Sequence, residues 1–179
     1  MPERLRRLFQ NPHAILDPLV KPGMVVADIG CGLGYFTRAM AERVGPSGRV
    51  IAVDLQPEML NVLRRRASRQ GLLDRIELHQ CQPDDLGLIE QVDFALSMWM
   101  SHEVPDRPRL FAQIAASLKP GALWLLAEPI IHVPAREYAE IRAAALTTGL
   151  TEKPAVKIAF SRAILLSRTS AAEIPSSSF

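Results

Sequence analysis

The stretch Val25-Val26-Ala27-Asp28-Ile29-Gly30-Cys31-Gly32-Leu33-Gly34-Tyr35-Phe36 decides the fold. Its first half is an apolar run ending near an acid, the composition of a strand buried on both faces. A Gly-x-Gly-x-Gly turn follows and leads into a helical pattern. Gly30, Gly32 and Gly34 permit positive φ angles and close approach to bare backbone. A helix beginning after them offers unpaired N–H groups and a partial positive charge to an anionic group.

Outward from this stretch, short apolar runs alternate with amphipathic ones, the pattern of helices covering both faces of a mostly parallel sheet. Strands are expected at Met24–Ile29, Arg49–Val53, Arg75–His79, Asp93–Met98 and Ala122–Ala127. Helices are expected over Tyr35–Val44 and over Pro57–Gln70, the latter with proline at its start and Gly71 beyond its end. Asp106 is placed to cap a helix through Leu118 that stops at a Lys119-Pro120-Gly121 turn, and another helix spans Ala135–Thr148. Val156–Phe160 and Ala163–Ser167, joined at Ser161-Arg162, read as an antiparallel closing hairpin, because parallel neighbours need a long crossover.

A chain of 179 residues with 48% hydrophobic content fills one core, so one domain spanning 1–179 is expected. Residues 1–20 form an Arg-bearing helical leader, able to act as a lid or touch a membrane surface through Arg4, Arg6 and Arg7, and 170–179 form a frayed tail. The balance of 21 basic against 19 acidic side chains gives no strong pull toward a phosphate backbone, so nucleic acid is an unlikely partner. Arg64, Arg65, Arg66 and Arg69 read as a solvated helix face. No secretory signal or membrane-spanning run is visible, and two unclustered cysteines suit a reducing, cytoplasmic setting.

The glycine spacing departs from the dinucleotide Gly-x-Gly-x-x-Gly pattern, since Tyr35 falls where its third glycine would stand. A second anchor follows in Val50-Ile51-Ala52-Val53-Asp54, where an acid ends the next strand and is able to accept from two ribose hydroxyls. With Asp28 to Gly34 and Asp54 in this order, the chain resembles the class I S-adenosylmethionine-dependent methyltransferases. It is most similar to their small type 11, ubiquinone/menaquinone-type branch, over roughly residues 12–168.

The resemblance implies a Rossmann-like α/β/α sandwich whose seven-stranded sheet has the order 3-2-1-4-5-7-6, with S-adenosylmethionine as cofactor. It places Asp28, Gly30, Cys31, Gly32, Gly34, Tyr35 and Phe36 around the amino-acid end of that cofactor, and Asp54 with Leu55 at its ribose. Near the adenine it expects an acid after the third strand, where this chain has Gln82-Pro83; the Gln82 oxygen is still an acceptor, with Asp84 as the alternative. Met98 closes the set. Met98, Trp99 and Met100 read equally as pocket wall or core, and Cys31 and Cys81 as small packed side chains.

In an open α/β sheet the ligand gathers at the carboxyl ends of the strands, so the acceptor belongs beside Trp99, His102, Glu103, Glu128 and His132. His102 is the candidate general base, set against the alternative that alignment and desolvation alone suffice and His102 is a hydrogen-bonded loop residue. Ser97-Met98-Trp99-Met100 stands where methyltransferases of exocyclic base nitrogens carry Asn/Asp-Pro-Pro-aromatic. A small-molecule acceptor without a metal is therefore expected, methylated by in-line displacement. The rival readings are a non-catalytic S-adenosylmethionine-binding or regulatory protein and an NAD-type oxidoreductase.

Overall fold

The computed structural model describes residues 9–169. A short helix α1 (Pro12–Leu16) precedes β1 (Val25–Ile29), α2 (Tyr35–Val44), β2 (Arg49–Asp54), α3 (Pro57–Arg69), β3 (Ile76–Gln80) and β4 (Val92–Met98). Then come α4 (Arg107–Ser117), β5 (Leu118–Pro129), α5 (Ala135–Leu146), β6 (Thr151–Lys153) and β7 (Ser161–Ser167). Among these residues the sheet has seven strands in the order β3-β2-β1-β4-β5-β7-β6, as the resemblance implied. β7 runs antiparallel to both β5 and β6, while the other pairings are parallel.

The sheet separates two apolar layers because side chains alternate along each strand. Val26, Phe94 and Leu96 face α1 to α3, where Met40 and Leu63 are fully enclosed. Ala27, Ile29 and Trp124 face α4 and α5 with Phe111, Ile114 and Ile141. The Trp124 indole packs edge-on against Phe111 at 5.2 Å and donates to Ser97 Oγ at 3.0 Å, so its buried polar tip is satisfied. Ile15, Leu16, Leu19 and Val20 are buried, so one face of the described part of the leader packs into the core while Phe9, Asn11, Ala14 and Pro18 stay exposed. Arg4, Arg6, Arg7 and the tail from 170 lie outside the described residues.

Two expectations are corrected. Val156–Phe160 is not a strand: the partner of β7 is Thr151–Lys153, and residues 154–160 form the link between them. Pro154 has no N–H for a ladder, Ile158 drops into the core, and Phe160 takes a left-handed φ of 56°. Lys119-Pro120-Gly121 is likewise not a turn but the irregular start of β5, with a register shift between Val92 and Phe94 of β4. Gly121, at φ 79°, donates to Arg168 O at 2.8 Å, tying this irregular start to the residue after β7.

The Gly34 position illustrates how tightly α2 is set. Its φ is 79°, and an added Cβ would stand 2.2 Å from Leu63 Cδ1, a side chain that is fully enclosed. Gly34→Ala is expected to lower stability by about 2–4 kcal/mol, combining left-handed strain with overpacking. Denaturant unfolding measures this directly; a loss below about 0.5 kcal/mol would show that Leu63 yields freely.

Candidate active site at the carboxyl ends of the strands

β1 and β2 lie side by side with Ile29 opposite Val53, which brings the glycine turn against the end of β2. The N–H groups of Gly30 and Cys31 both donate to Val53 O at 2.9 Å. Gly32 N–H donates to Asp54 Oδ2 at 2.8 Å, and Gln56 N–H to Asp54 Oδ1 at 3.0 Å. The two anchors read from the sequence are thus one hydrogen-bonded unit. Each Asp54 oxygen retains a second lone pair for a ligand hydroxyl.

This unit forms one wall of a cleft of about 590 Å³, within the usual range for small-molecule sites. Gly30, Gly32, Asp54, Leu55, Gln82 and Pro83 all border it. Gly30 cannot carry a side chain, since a Cβ would lie 2.8 Å from Met100. A Cβ on Gly32 would meet nothing within 4 Å, and its φ is 52°, so the turn presents bare backbone to open space. That is the cradle a ligand's polar end requires.

The other expected cofactor residues lie off the cleft wall. Asp28 is 2% exposed and accepts from Thr37 Oγ1 at 2.5 Å, joining β1 to the first turn of α2. Gly34 packs on Leu63, while Phe36, Met98 and Cys31 are buried. Burial and the neighbouring carboxylates of Asp28 and Asp54 push the Cys31 thiol far up, leaving it an inert packed group. Tyr35 donates to Gln10 O at 2.8 Å, fastening the leader to α2. These residues shape the turn from behind.

On the acceptor side, Trp99 and Glu103 border the cleft, and Trp99 has a left-handed φ of 62°. That conformation is costly for an aromatic residue and is held by two bonds, from Trp99 N to Ala127 O at 2.8 Å and from Nε1 to Ser161 Oγ at 2.9 Å. His102, Glu128 and His132 lie together but are not among the residues that border the cleft. Glu128 is fully buried at the end of β5; its Oε1 accepts from Ser101 N at 2.9 Å and from Ser101 Oγ, and its Oε2 lies 2.6 Å from His102 Nδ1. The His102 ring stacks on His132 with centroids 6.4 Å apart and planes 4° from parallel.

A family model described as a methyltransferase domain matches residues 26–121, more than half of the chain. The chain belongs to the methyltransferase domain family. The methyltransferase domain is 34% identical over 109 residues to a demethylmenaquinone methyltransferase of Symbiobacterium thermophilum, covering 60% of this chain and 43% of that protein. It is 29% identical over 130 residues to a ubiquinone/menaquinone biosynthesis C-methyltransferase of Hydrogenovibrio crunogenus, covering 69% and 49%. The domain therefore spans less than half the length of these two curated relatives. A solved SAM-dependent methyltransferase from Aquifex aeolicus shares its fold, with a TM-score of 0.81 at 22% identity over 90% of this chain and 92% of that one.

Sequence reasoning missed several groups of the methyltransferase domain's site. Ser101 supplies two of the donors to Glu128, and Arg107 clamps the carbonyls of Ser101 at 3.0 Å and His102 at 3.2 Å. Arg109, on the first turn of α4, borders the cleft and faces Asp84 at 3.5 Å. The i, i+4 spacing of Arg109 and Gln113 just after a capped helix start was the available signal, because it places both on one face. Among the described residues no three His, Cys, Asp or Glu side chains gather to hold a metal ion, and no helix is long and apolar enough to cross a membrane.

Proposed function

We propose that this chain is an S-adenosylmethionine-dependent methyltransferase that passes a methyl group by direct in-line displacement to a small-molecule acceptor. One observation carries the reading: the bare Gly32 backbone and the Asp54 carboxylate, hydrogen-bonded to each other, border the same cleft. Gly30 and Gly32 would hold the amino-acid end, Asp54 the ribose hydroxyls and the Gln82 oxygen the adenine amino group. Bound there, the cofactor supplies a methyl carbon on a sulfonium, whose departure leaves a neutral thioether. The chain's own contribution is alignment and exclusion of water on the Trp99 side.

Relatives named for demethylmenaquinone and, in Halobacterium salinarum, for arsenite support a small acceptor. A reducing, cytoplasmic location is part of the same proposal, both cysteines being free. Isothermal titration calorimetry with S-adenosylmethionine, S-adenosylhomocysteine and NAD tests it. Binding of the first two alone is expected. Binding of NAD would favour an oxidoreductase, and binding of none would remove the cofactor assignment. Affinity without transfer across an acceptor panel would leave a sensing or regulatory protein.

A further inference from the structure

The turn after β3 runs Gln82-Pro83-Asp84-Asp85 and closes on itself, with Gln82 N–H donating to Asp85 O at 2.9 Å and Asp85 N–H to Gln82 O at 3.3 Å. All four residues are exposed. Asp85 and Leu86 border the cofactor cleft and also a second cavity of about 240 Å³, so open space adjoins much of the turn. A segment with so little packing keeps its place through hydrogen bonds.

Two of those bonds come from Gln113. Its Oε1 accepts from Leu86 N–H at 2.7 Å, and its Nε2 donates to Asp84 O at 2.9 Å. Chemistry settles the orientation of the amide, because a peptide N–H only donates and a carbonyl only accepts. One side chain thus takes the carbonyl before Asp85 and the N–H after it, the two groups that a parallel neighbouring strand would use. His79 Nε2 of β3 donates to Leu86 O at 2.7 Å, so Leu86 is pinned from the sheet and from α4 at once. Arg109, one turn earlier on the same face of α4, adds an exposed and therefore weak ion pair with Asp84 at 3.5 Å. The helix that carries Gln113 is itself fixed: Asp106 caps it through Arg109 N–H at 3.0 Å, and Leu110, Phe111 and Ile114 are buried.

We infer that Gln113 is a positioning residue for the adenine end of the cofactor: it holds the turn where the Gln82 oxygen meets a purine 6-amino group, and so sets the preference for a purine bearing that group. This rests on the cofactor reading above. Gln82 and Gln113 both border the cleft, but the amide of Gln113 is engaged by the turn, so its effect on the ligand passes through Gln82.

The test is titration calorimetry of S-adenosylhomocysteine against its 6-deamino analogue, whose purine carries hydrogen in place of the amino group, in wild type and in Gln113→Met. The double comparison isolates the coupling between the amino group and residue 113. Wild type is expected to favour S-adenosylhomocysteine by about fivefold, the effect of one hydrogen bond. In Gln113→Met, which keeps the length of the side chain without its amide, the ratio is expected to fall below about twofold. Gln113→Glu loses the bond to Asp84 O alone; its ratio is expected to fall between the two, and it decides the matter if Gln113→Met does not fold.

The wild-type ratio retained in a folded variant, with or without an equal loss of affinity for both ligands, marks a purely structural residue and overturns the inference. A wild-type ratio near one overturns it as well, since the amino group is then not read. Hydrogen exchange follows the clamp without any ligand: the Leu86 amide is expected to exchange about tenfold faster or more in Gln113→Met, and unchanged exchange overturns the inference. Wild type that binds neither ligand overturns the cofactor reading instead, while the exchange rate still shows whether Gln113 holds the turn.

Discussion

Asp54→Ala is expected to weaken S-adenosylhomocysteine binding by about 100-fold or more, the largest functional effect of any single substitution in the cleft. Asp54 is 9% exposed, and its two oxygens hold the backbone N–H groups of Gly32 and Gln56 while keeping a lone pair each for the ribose. Hydrogen bonds to a charged group contribute about 1.5–3 kcal/mol each, so losing two to the ligand corresponds to about a hundredfold or more. Loosening of the Gly32 turn adds to the loss, because that turn is tied down by the same carboxylate. Calorimetric titration of the variant gives the ratio directly. An unchanged dissociation constant would place the ribose elsewhere in the cleft.

Glu128→Ala is expected to destabilise the fold by about 3–5 kcal/mol, the largest stability effect among the polar residues of the site. Glu128 is completely enclosed, and its removal takes the partner from Ser101 N–H, the Ser101 hydroxyl and His102 Nδ1. Each buried donor left unsatisfied costs about 1–3 kcal/mol, and the deleted methylenes leave a small cavity beside β5. Urea-induced unfolding of wild type and variant, compared at equal m-values, measures the difference. A loss under about 1 kcal/mol would mean that water enters and satisfies the groups left behind.

The parallel run of the first strands was legible because its causes are local, whereas the order of all seven strands was what the family resemblance implied. Apolar runs such as Val25–Ile29 and Val50–Val53 are buried on both faces, and helices of ten or more residues separate the first strands, which dictates parallel crossovers. The last hairpin was harder. Val156 and Ile158 look like strand residues, but Pro154 and the left-handed Phe160 flank a link that buries Ile158 and packs Val156 against the core without joining the ladder. Thr151–Lys153 is short and mostly exposed, so as an edge strand it carries little hydrophobic signal.

The cofactor side shows the same division within one motif. Asp28, Gly34 and Phe36 were assigned to the ligand with Gly30 and Gly32, yet Asp28 bonds Thr37 beneath the turn and Gly34 packs on Leu63. Spacing identifies a motif without saying which of its residues face outward, because alternation through a left-handed turn follows no fixed period.

By itself the sequence determined the order of elements, the glycine turn and the two carboxylates at the strand ends, since apolar periodicity and backbone permissiveness are properties of neighbouring residues. Only the tertiary structure decided that Asp54 binds the Gly32 backbone, that Trp99 is held in a left-handed conformation, and that Glu128 meets Ser101 and His102. Glu128 and His102 are 26 positions apart and joined by the β4–β5 register, which sets Met98 opposite Ala127. That register is fixed by packing across the whole sheet, and no local pattern in either segment encodes it.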